Sequence, residues 1–522
     1  MGEQTLLDVV SGHAQARGDA IALTFEGRET SYAAFERHAN QVAHALTAAG
    51  LGKGDRIAYV GKNSDHYFEL LIGAMKVGVV MVPVNWRLAP PEMVYIIDNA
   101  EAKLLFVGGE FVGAVTAFAS KLTSAPRIVA MEGAAGDWPA FEPWRDAQQD
   151  APPAFRATID DVALQLYTSG TTGHPKGAML SHRNLVDLRN SRHGETPAWN
   201  VWTAEDVSLV AMPVFHIGGT GWGIFGLYYG AKGVVAREFD PAKVLDTFVN
   251  ERISKLFMVP AAMQFVVRHP RARQIDYSRL KYLLYGASPI PADLLKECME
   301  VFGCGFVQMY GMTETTGTIV VLPPEDHTLD GSPRLRSAGK AVPGVEIAIL
   351  DPDGRLLPPG EVGEIATRSA ANMVGYWKLP EATARTLSKD NWLRTGDAGY
   401  MDADGYVYVH DRIKDMIISG AENIYPAEVE NAIFGHPAVA EVAVIGVPDA
   451  TWGEAVKAMV VRKPGAEVTA EEIIAHARQH IAGYKVPKSV DFIPALPRNG
   501  TGKILRRELR DPFWAGRERR VN

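Results

Sequence analysis

Cysteine is nearly absent. The 522 residues contain two, Cys298 and Cys304, and their spacing fits neither a disulfide framework nor a metal site. Both read as small core residues in a reducing compartment. Positive charge is not in excess either: the formal net charge is −8, which argues against a dedicated nucleic-acid binder. No apolar run is long enough to span a bilayer, since the most apolar stretch, 70–84, is broken by Lys76, Gly78 and Pro83. The N-terminus lacks the basic and apolar blocks of a signal peptide, and Leu6 stands where a myristoylation pattern wants Ser or Thr. Internal repeats and low-complexity segments are also missing. The expectation is a soluble cytoplasmic protein. Its basic end, 506–520, carries interspersed acids and reads as a solvated tail, with weak peripheral membrane contact left open.

What is present is globular: 47% hydrophobic and 22% charged residues, in a chain too long for one ordinary core. Short apolar runs at 56–60, 79–82, 104–107, 164–168, 207–212, 256–259, 282–285 and 306–309 predict buried strands. Helical patterns at 65–76, 91–99, 241–250 and 292–301 fall between several of them. That alternation predicts an α/β fold of parallel sheets covered by helices, with ligands at the C-terminal strand ends. From 337 to 410 the chain turns rich in Gly, Asp and Pro, with strands expected at 345–350 and 406–410, and a small β-barrel or meander is predicted. A compact α+β unit follows, with strands at 439–445 and 458–461 and a helix over 469–481. Thr469 is its N-cap and Glu472 completes a capping box. The expected division is therefore a large domain, 1–412, and a small mobile domain, 413–522.

One stretch carries most of the chemistry: Tyr167-Thr-Ser-Gly-Thr-Thr-Gly-His-Pro-Lys-Gly177. It follows a predicted strand. Its glycines let backbone N–H groups converge on one concavity, its hydroxyls add donors and Lys176 adds a charge, which together suit a polyphosphate. It is not the Walker pattern, because Pro175 precedes the lysine and Gly177 follows it.

This string resembles the phosphate loop of the adenylate-forming (AMP-binding) enzymes, in particular the acyl-CoA synthetase and fatty-acid–CoA ligase branch. Further signatures occur in the same order: Tyr310-Gly-Met-Thr-Glu-Thr-Thr-Gly317, Thr395-Gly-Asp397, Asp411-Arg412-Ile-Lys-Asp415 and Asn499-Gly-Thr-Gly-Lys-Ile504. The resemblance implies ATP bound by Thr168, Ser169, Gly170, Thr171, Thr172, Gly173 and Lys176. Gly286, Ala287, Ser288, Gln308, Met309, Tyr310 and Gly311 would surround the base, Tyr310 by stacking on it. Thr313 would contact the α-phosphate, while Asp397 and Arg412 would bind the ribose. Magnesium would sit on Thr168 and Glu314, hard oxygen donors that leave room for water. Lys503 would neutralise charge during adenylation, so Lys503, Glu314 and Thr313 form the implied catalytic set. Lys414 matches a hinge, and Ser419, Gly420, Glu422 and Asn423 would border the coenzyme A channel. Asp411 stands where many relatives have Gly.

The implied reaction is MgATP-dependent conversion of a carboxylic acid to acyl-AMP, followed by thioester formation with coenzyme A. No carrier domain follows Lys503, so a separate acceptor is expected, with a carrier protein as the alternative to coenzyme A. A non-catalytic nucleotide-binding relic would have no use for the adenylation lysine. The acyl pocket is expected around His216, Gly219, Trp222, Met258, Met312 and Gly317. The segments expected to form it show no basic residue other than His216, which favours an uncharged tail. A medium- or long-chain fatty acid leads, with an aryl or short substituted acid next. Gly221-Trp-Gly-Ile-Phe-Gly226 fits a dinucleotide pattern by count, but it lacks the strand–turn–helix frame and reads as helix packing. Association into a homodimer is left open.

Overall fold

The computed structural model describes residues 4–168, 174–189, 196–328, 332–419, 422–498 and 504–516; of Lys414 it describes the backbone alone. Two sheets dominate the large N-terminal domain. In the first, Gly305–Met312, Tyr282–Gly286, Lys255–Met258, Val207–Val210, Lys232–Val235 and Ile21–Phe25 run parallel, and antiparallel strands close both edges. In the second, Val162–Thr168, Val80–Val84, Arg56–Val60, Ala102–Val107 and Arg127–Ala130 run parallel, with Lys176–Ser181 and Gly375–Tyr376 added antiparallel. All eight predicted strands of this region exist, because strands buried on both faces are continuous apolar runs.

The helix Asp65–Met75 is buried along its whole length, as expected of an element packed on all sides. Its polar members are paired inside: Glu69 accepts from Arg145 Nη1 at 2.6 Å and lies 2.7 Å from His38 Nδ1. Against it packs Ile217–Tyr229, the helix that carries the glycine-rich string. A Cβ at Gly223 would stand 2.2 Å from Phe68 Cζ, and one at Gly219 would stand 2.2 Å from the Pro213 carbonyl oxygen. Gly223, within the glycine-rich string, serves helix packing as the sequence suggested, whereas Gly219, expected in the acyl pocket, is pressed against the turn before its own helix.

Residues 346–412 form an antiparallel meander of Glu346–Leu350, Gly363–Arg368, Trp392–Met401 and Val407–Arg412. Of the two expected forms, barrel or meander, it is the meander: among the described residues its first and last strands do not pair with each other. After it, Ile413–Asp415 makes a single 3-10 turn, and the smaller C-terminal domain builds its own sheet and core. There Val439–Asp449 and Gly453–Arg462 form a long hairpin, Ser489–Phe492 joins in parallel, and Ile417, Val429, Ile433, Val444, Ala458 and Ile473 are buried together. The predicted capping box is present, with Thr469 N donating to Glu472 Oε2 at 2.8 Å and Glu472 N to Thr469 Oγ1 at 3.2 Å. That helix spans Ala470–Arg478.

Candidate active site

The edge of the second sheet and the strand pair Gly305–Met312/Gly317–Leu322 bring together several of the residues expected to bind the nucleotide. Glu314 sits in the 3-10 turn Thr313–Thr315 between those two strands. Its Oε1 accepts from Thr168 Oγ1 at 3.2 Å and from the Tyr376 hydroxyl at 2.8 Å. Thr168 and Glu314, the expected magnesium pair, are therefore in contact although 146 residues apart. Tyr376 escaped the sequence reading. It comes from the two-residue strand Gly375–Tyr376, too short to show a period, and its ring also lies 4.4 Å from Lys176 Nζ.

A second contact set lies beside the first. The Tyr310 hydroxyl donates to Asp397 Oδ2 at 2.7 Å, and Arg412 Nε pairs with Asp397 Oδ1 at 2.8 Å. Asp397 and Arg412 face each other across adjacent strands, and Arg412 Nη1 also donates to the Thr395 carbonyl at 2.9 Å. Burial works against the Arg412 charge, but Asp397, Tyr310 and Glu314 outweigh it and raise its pKa. The Arg412 guanidinium is thus a fixed charge at working pH. Burial together with the Asp397 carboxylate pushes the Tyr310 phenol well above its ordinary range.

Gly286 and Gly311 are demanded by the sheet itself. A Cβ at Gly286 would lie 2.1 Å from the Met309 carbonyl oxygen, and one at Gly311 would lie 1.7 Å from that of Gly317. Ala287 and Thr316 hold left-handed backbones, φ 68° and 55°, a conformation that costs energy and gathers at functional sites. Ser288 is exposed on the loop that follows. Gln308 is held by the Tyr285 hydroxyl, which donates to its Oε1 at 3.1 Å. Ser169, Gly170, Thr171, Thr172, Gly173, Gly420 and Lys503 lie outside the described residues. The base of the Lys503 loop is in place, since Arg498 and Ile504 pair across it. Ser419, Glu422 and Asn423 lie on a short hairpin of the small domain. Among the described residues no group of three or more His, Cys, Asp or Glu could hold a metal ion, and no helix is long and apolar enough to cross a membrane.

A cavity with about 1250 Å³ of empty space, partly open to solvent, adjoins this cluster. Met309 and Gly311 form one wall, with Ala287, Gly317 and Thr318 beside them; Gly218, Gly221, Trp222 and Phe225 of the helix Ile217–Tyr229 form another. Of the expected acyl-pocket residues, Trp222 and Gly317 line it. His216, Gly219, Met258 and Met312 are not among its lining residues. Met258 and Gly219 are core positions, the glycine pressed against Pro213. His216 has a buried Nε2 without a hydrogen-bond partner, and burial lowers its pKa to about 3. One expectation is corrected outright: the cavity does hold a basic residue, Arg189. It lies in a polar stretch with no hydrophobic period, where a lone arginine reads as solvated.

Comparison with known proteins agrees with the geometry. The profile of the AMP-binding enzyme family matches residues 10–377, and that of the AMP-binding enzyme C-terminal domain matches 428–503. This chain belongs to the family of AMP-binding enzymes. It is similar to the fatty acid–[acyl-carrier-protein] ligase ScoC of Streptomyces coeruleorubidus, with 44% identity over 99% of this chain and 98% of that protein. It is also similar to feruloyl-CoA synthase of an Amycolatopsis species, with 41% identity over 95% of this chain and 96% of that protein. Among solved structures, ATP-bound MatB from Rhodopseudomonas palustris superimposes with a TM-score of 0.87 at 31% identity, covering 98% and 99% of the two chains. As an AMP-binding enzyme of this ligase type, the chain is an AMP-forming acyl-CoA synthetase that adenylates a carboxylate.

Proposed function

We propose that the chain joins a compact carboxylic acid, aryl or short and substituted, to coenzyme A by way of an acyl-AMP. The observation that carries this choice of acid is the cavity: Trp222, Phe225 and Phe257 give it flat aromatic walls, and Arg189 and Asn200 give it polar groups. A long alkyl chain would leave those polar groups unpaired in an apolar setting, which is costly. The weight therefore moves from the fatty acid to the acid the sequence placed second.

In this reading Asp397 and Arg412 hold the ribose, Tyr310 stacks on the base, and Lys176 with the loop at 169–173 holds the phosphates. Magnesium would be held by Glu314 and Thr168, whose all-oxygen donor set suits it, and would supply charge neutralisation at the phosphates. Tyr376 steadies the Glu314 carboxylate. In-line attack of a carboxylate on the α-phosphate brings two anions together, so positioning and fixed positive charge carry the step. The test is pyrophosphate release across a panel of fatty, aryl and short acids, with and without coenzyme A. An aryl or short substituted acid should be turned over best, with thioester as product. Preference for a long-chain acid would refute the choice of acid, and thioester on a carrier protein alone would refute the acceptor.

The small domain is proposed to turn about Lys414, which lies in the lone 3-10 turn between the last strand of the meander and the first of the small sheet. Proline fixes φ near −65° and resists that rotation. Lys414→Pro should slow thioester formation from supplied acyl-AMP more than it slows adenylation, by roughly tenfold, or ~1.4 kcal/mol of barrier. Equal effects on both half-reactions, measured by chromatography of each product, would remove the hinge assignment.

A further inference from the structure

The cavity contains a donor and an acceptor that the described residues leave unused. Arg189 ends the turn Asp187–Arg189, which follows directly on the short helical segment His182–Val186. Its Nη1 donates to the Leu185 carbonyl, and its guanidinium lies over the Phe225 ring at 4.6 Å. Its Nε is shut off from solvent without a hydrogen-bond partner. Asn200 lines the same cavity, and its Oδ1 is buried and unpartnered in the same way. The Tyr229 phenol stands near both: burial raises its pKa to about 12, while the Arg189 charge and the Asn200 side chain pull it down. Around them stand Trp199, Trp222 and Phe225. No carboxylate pairs with Arg189 among the described residues.

A buried cation without a counter-charge and a buried amide oxygen without a donor are each unfavourable. Two such defects in one cavity, one a donor and one an acceptor, are complementary to a single group that can accept and donate at once. A hydroxyl does this: its oxygen accepts from Arg189 Nε–H while its proton goes to Asn200 Oδ1. A second carboxylate would answer the arginine but would set an anion against the amide oxygen. An alkyl end would answer neither.

We infer that Arg189 and Asn200 are specificity-determining residues for an acid whose far end carries an alcohol or phenol hydroxyl. This rests on the assignment of the cavity to the acid. Burial lowers the Arg189 pKa, as it would for a cation that awaits a partner.

The test uses the full chain with MgATP and coenzyme A and compares kcat/KM for acids of one skeleton. Phenylpropanoate is set against its para-hydroxy and para-carboxy derivatives, and hexanoate against its terminally hydroxylated derivative. At least one hydroxylated acid should be preferred over its plain partner by about tenfold or more. In Arg189→Met and Asn200→Ala that ratio, which cancels any general loss of activity, should collapse towards one. The inference is overturned if the unaltered enzyme shows no preference, if the ratio survives both substitutions, or if the carboxy derivative is the best of its set. Should the variants fail to fold, the ratios of the unaltered enzyme decide alone. Turnover of plain acids without a preference would sink this inference and leave the ligase reading intact; pyrophosphate release from no acid at all would sink both.

Discussion

Lys503→Ala should lose about a hundredfold or more of the adenylation rate while thioester formation from supplied acyl-AMP stays near its original rate. On the proposed reading the lysine's charge is needed while a carboxylate closes on the α-phosphate, and that repulsion is gone once the mixed anhydride exists. Distance along the chain is no obstacle. Pairing of Arg498 with Ile504 and the bond from Leu505 N to the Pro497 carbonyl, 2.8 Å, hold the two ends of the lysine loop together. From there Arg506 reaches Glu430 at 2.7 Å and Asp411 at 3.3 Å, so the described residues that follow the lysine are tied close to the turn at 413–415. Separate assays of the half-reactions decide the matter. Equal loss in both would mean that Lys503 supports the loop rather than the chemistry.

Acidification from pH 7 to pH 5 should destabilise the protein by about 5 kcal/mol, through histidines kept neutral by burial. Burial lowers His182 and His327 to about 4 and His216 to about 3. In the unfolded chain each titrates near 6.5. Between those values the unfolded state binds more protons, so stability rises with pH and is lost as pH falls below about 6.5. By pH 5 each histidine contributes a loss of about 2 kcal/mol. Asp411 opposes them: burial raises it to about 6 against the pull of Arg506, so the folded state takes up a proton first and gains about 1 kcal/mol over the same interval. His13 and His410, also lowered by burial, add to the loss, while His66, raised by Glu69 against its burial, and Glu364, raised by burial, add to the gain; the losses prevail. Denaturant midpoints measured at the two pH values would test this, and His182→Asn should remove about 2 kcal/mol of the difference. A midpoint that holds or rises on acidification would overturn the account.

The nucleotide half of the site was legible because its residues sit in ordered strings beside strands that read as unbroken apolar runs. Glu314, Asp397 and Arg412 were singled out by the family resemblance that those ordered strings carry, since each alone would read as part of an ordinary turn. Tyr376 was not legible, since a two-residue strand has no pattern and its partner Glu314 lies 62 residues away. Arg189 and Asn200 were hidden for a different reason. A polar residue in a polar stretch looks solvated, and only the packing of Trp222 and Phe225 against that stretch turns it inward. Met258 and Gly219 failed the other way, since apolar and small residues near a pocket are more often its support than its surface.

The strand pair Gly305–Met312 and Gly317–Leu322 carries Tyr310 toward the nucleotide residues and presents Met309, Gly311, Gly317 and Thr318 to the cavity. On the proposed reading, one thin wall would serve both the nucleotide and the acid. A methyl at Gly311 would fall 1.7 Å from the Gly317 carbonyl oxygen, so this wall has no slack in which to be reshaped. Redesign of the enzyme for a bulkier acid through these strands would disturb ATP binding as well. The opposite wall offers a way round: Gly218 and Gly221 line the cavity from the helix Ile217–Tyr229, which holds none of the residues proposed for the nucleotide, and a Cβ at Gly221 meets Ile217 Cδ1 at 3.3 Å, so that side chain alone would have to give a little. The shape of the acid can be retuned from that helix while the grip on the nucleotide is left as it stands.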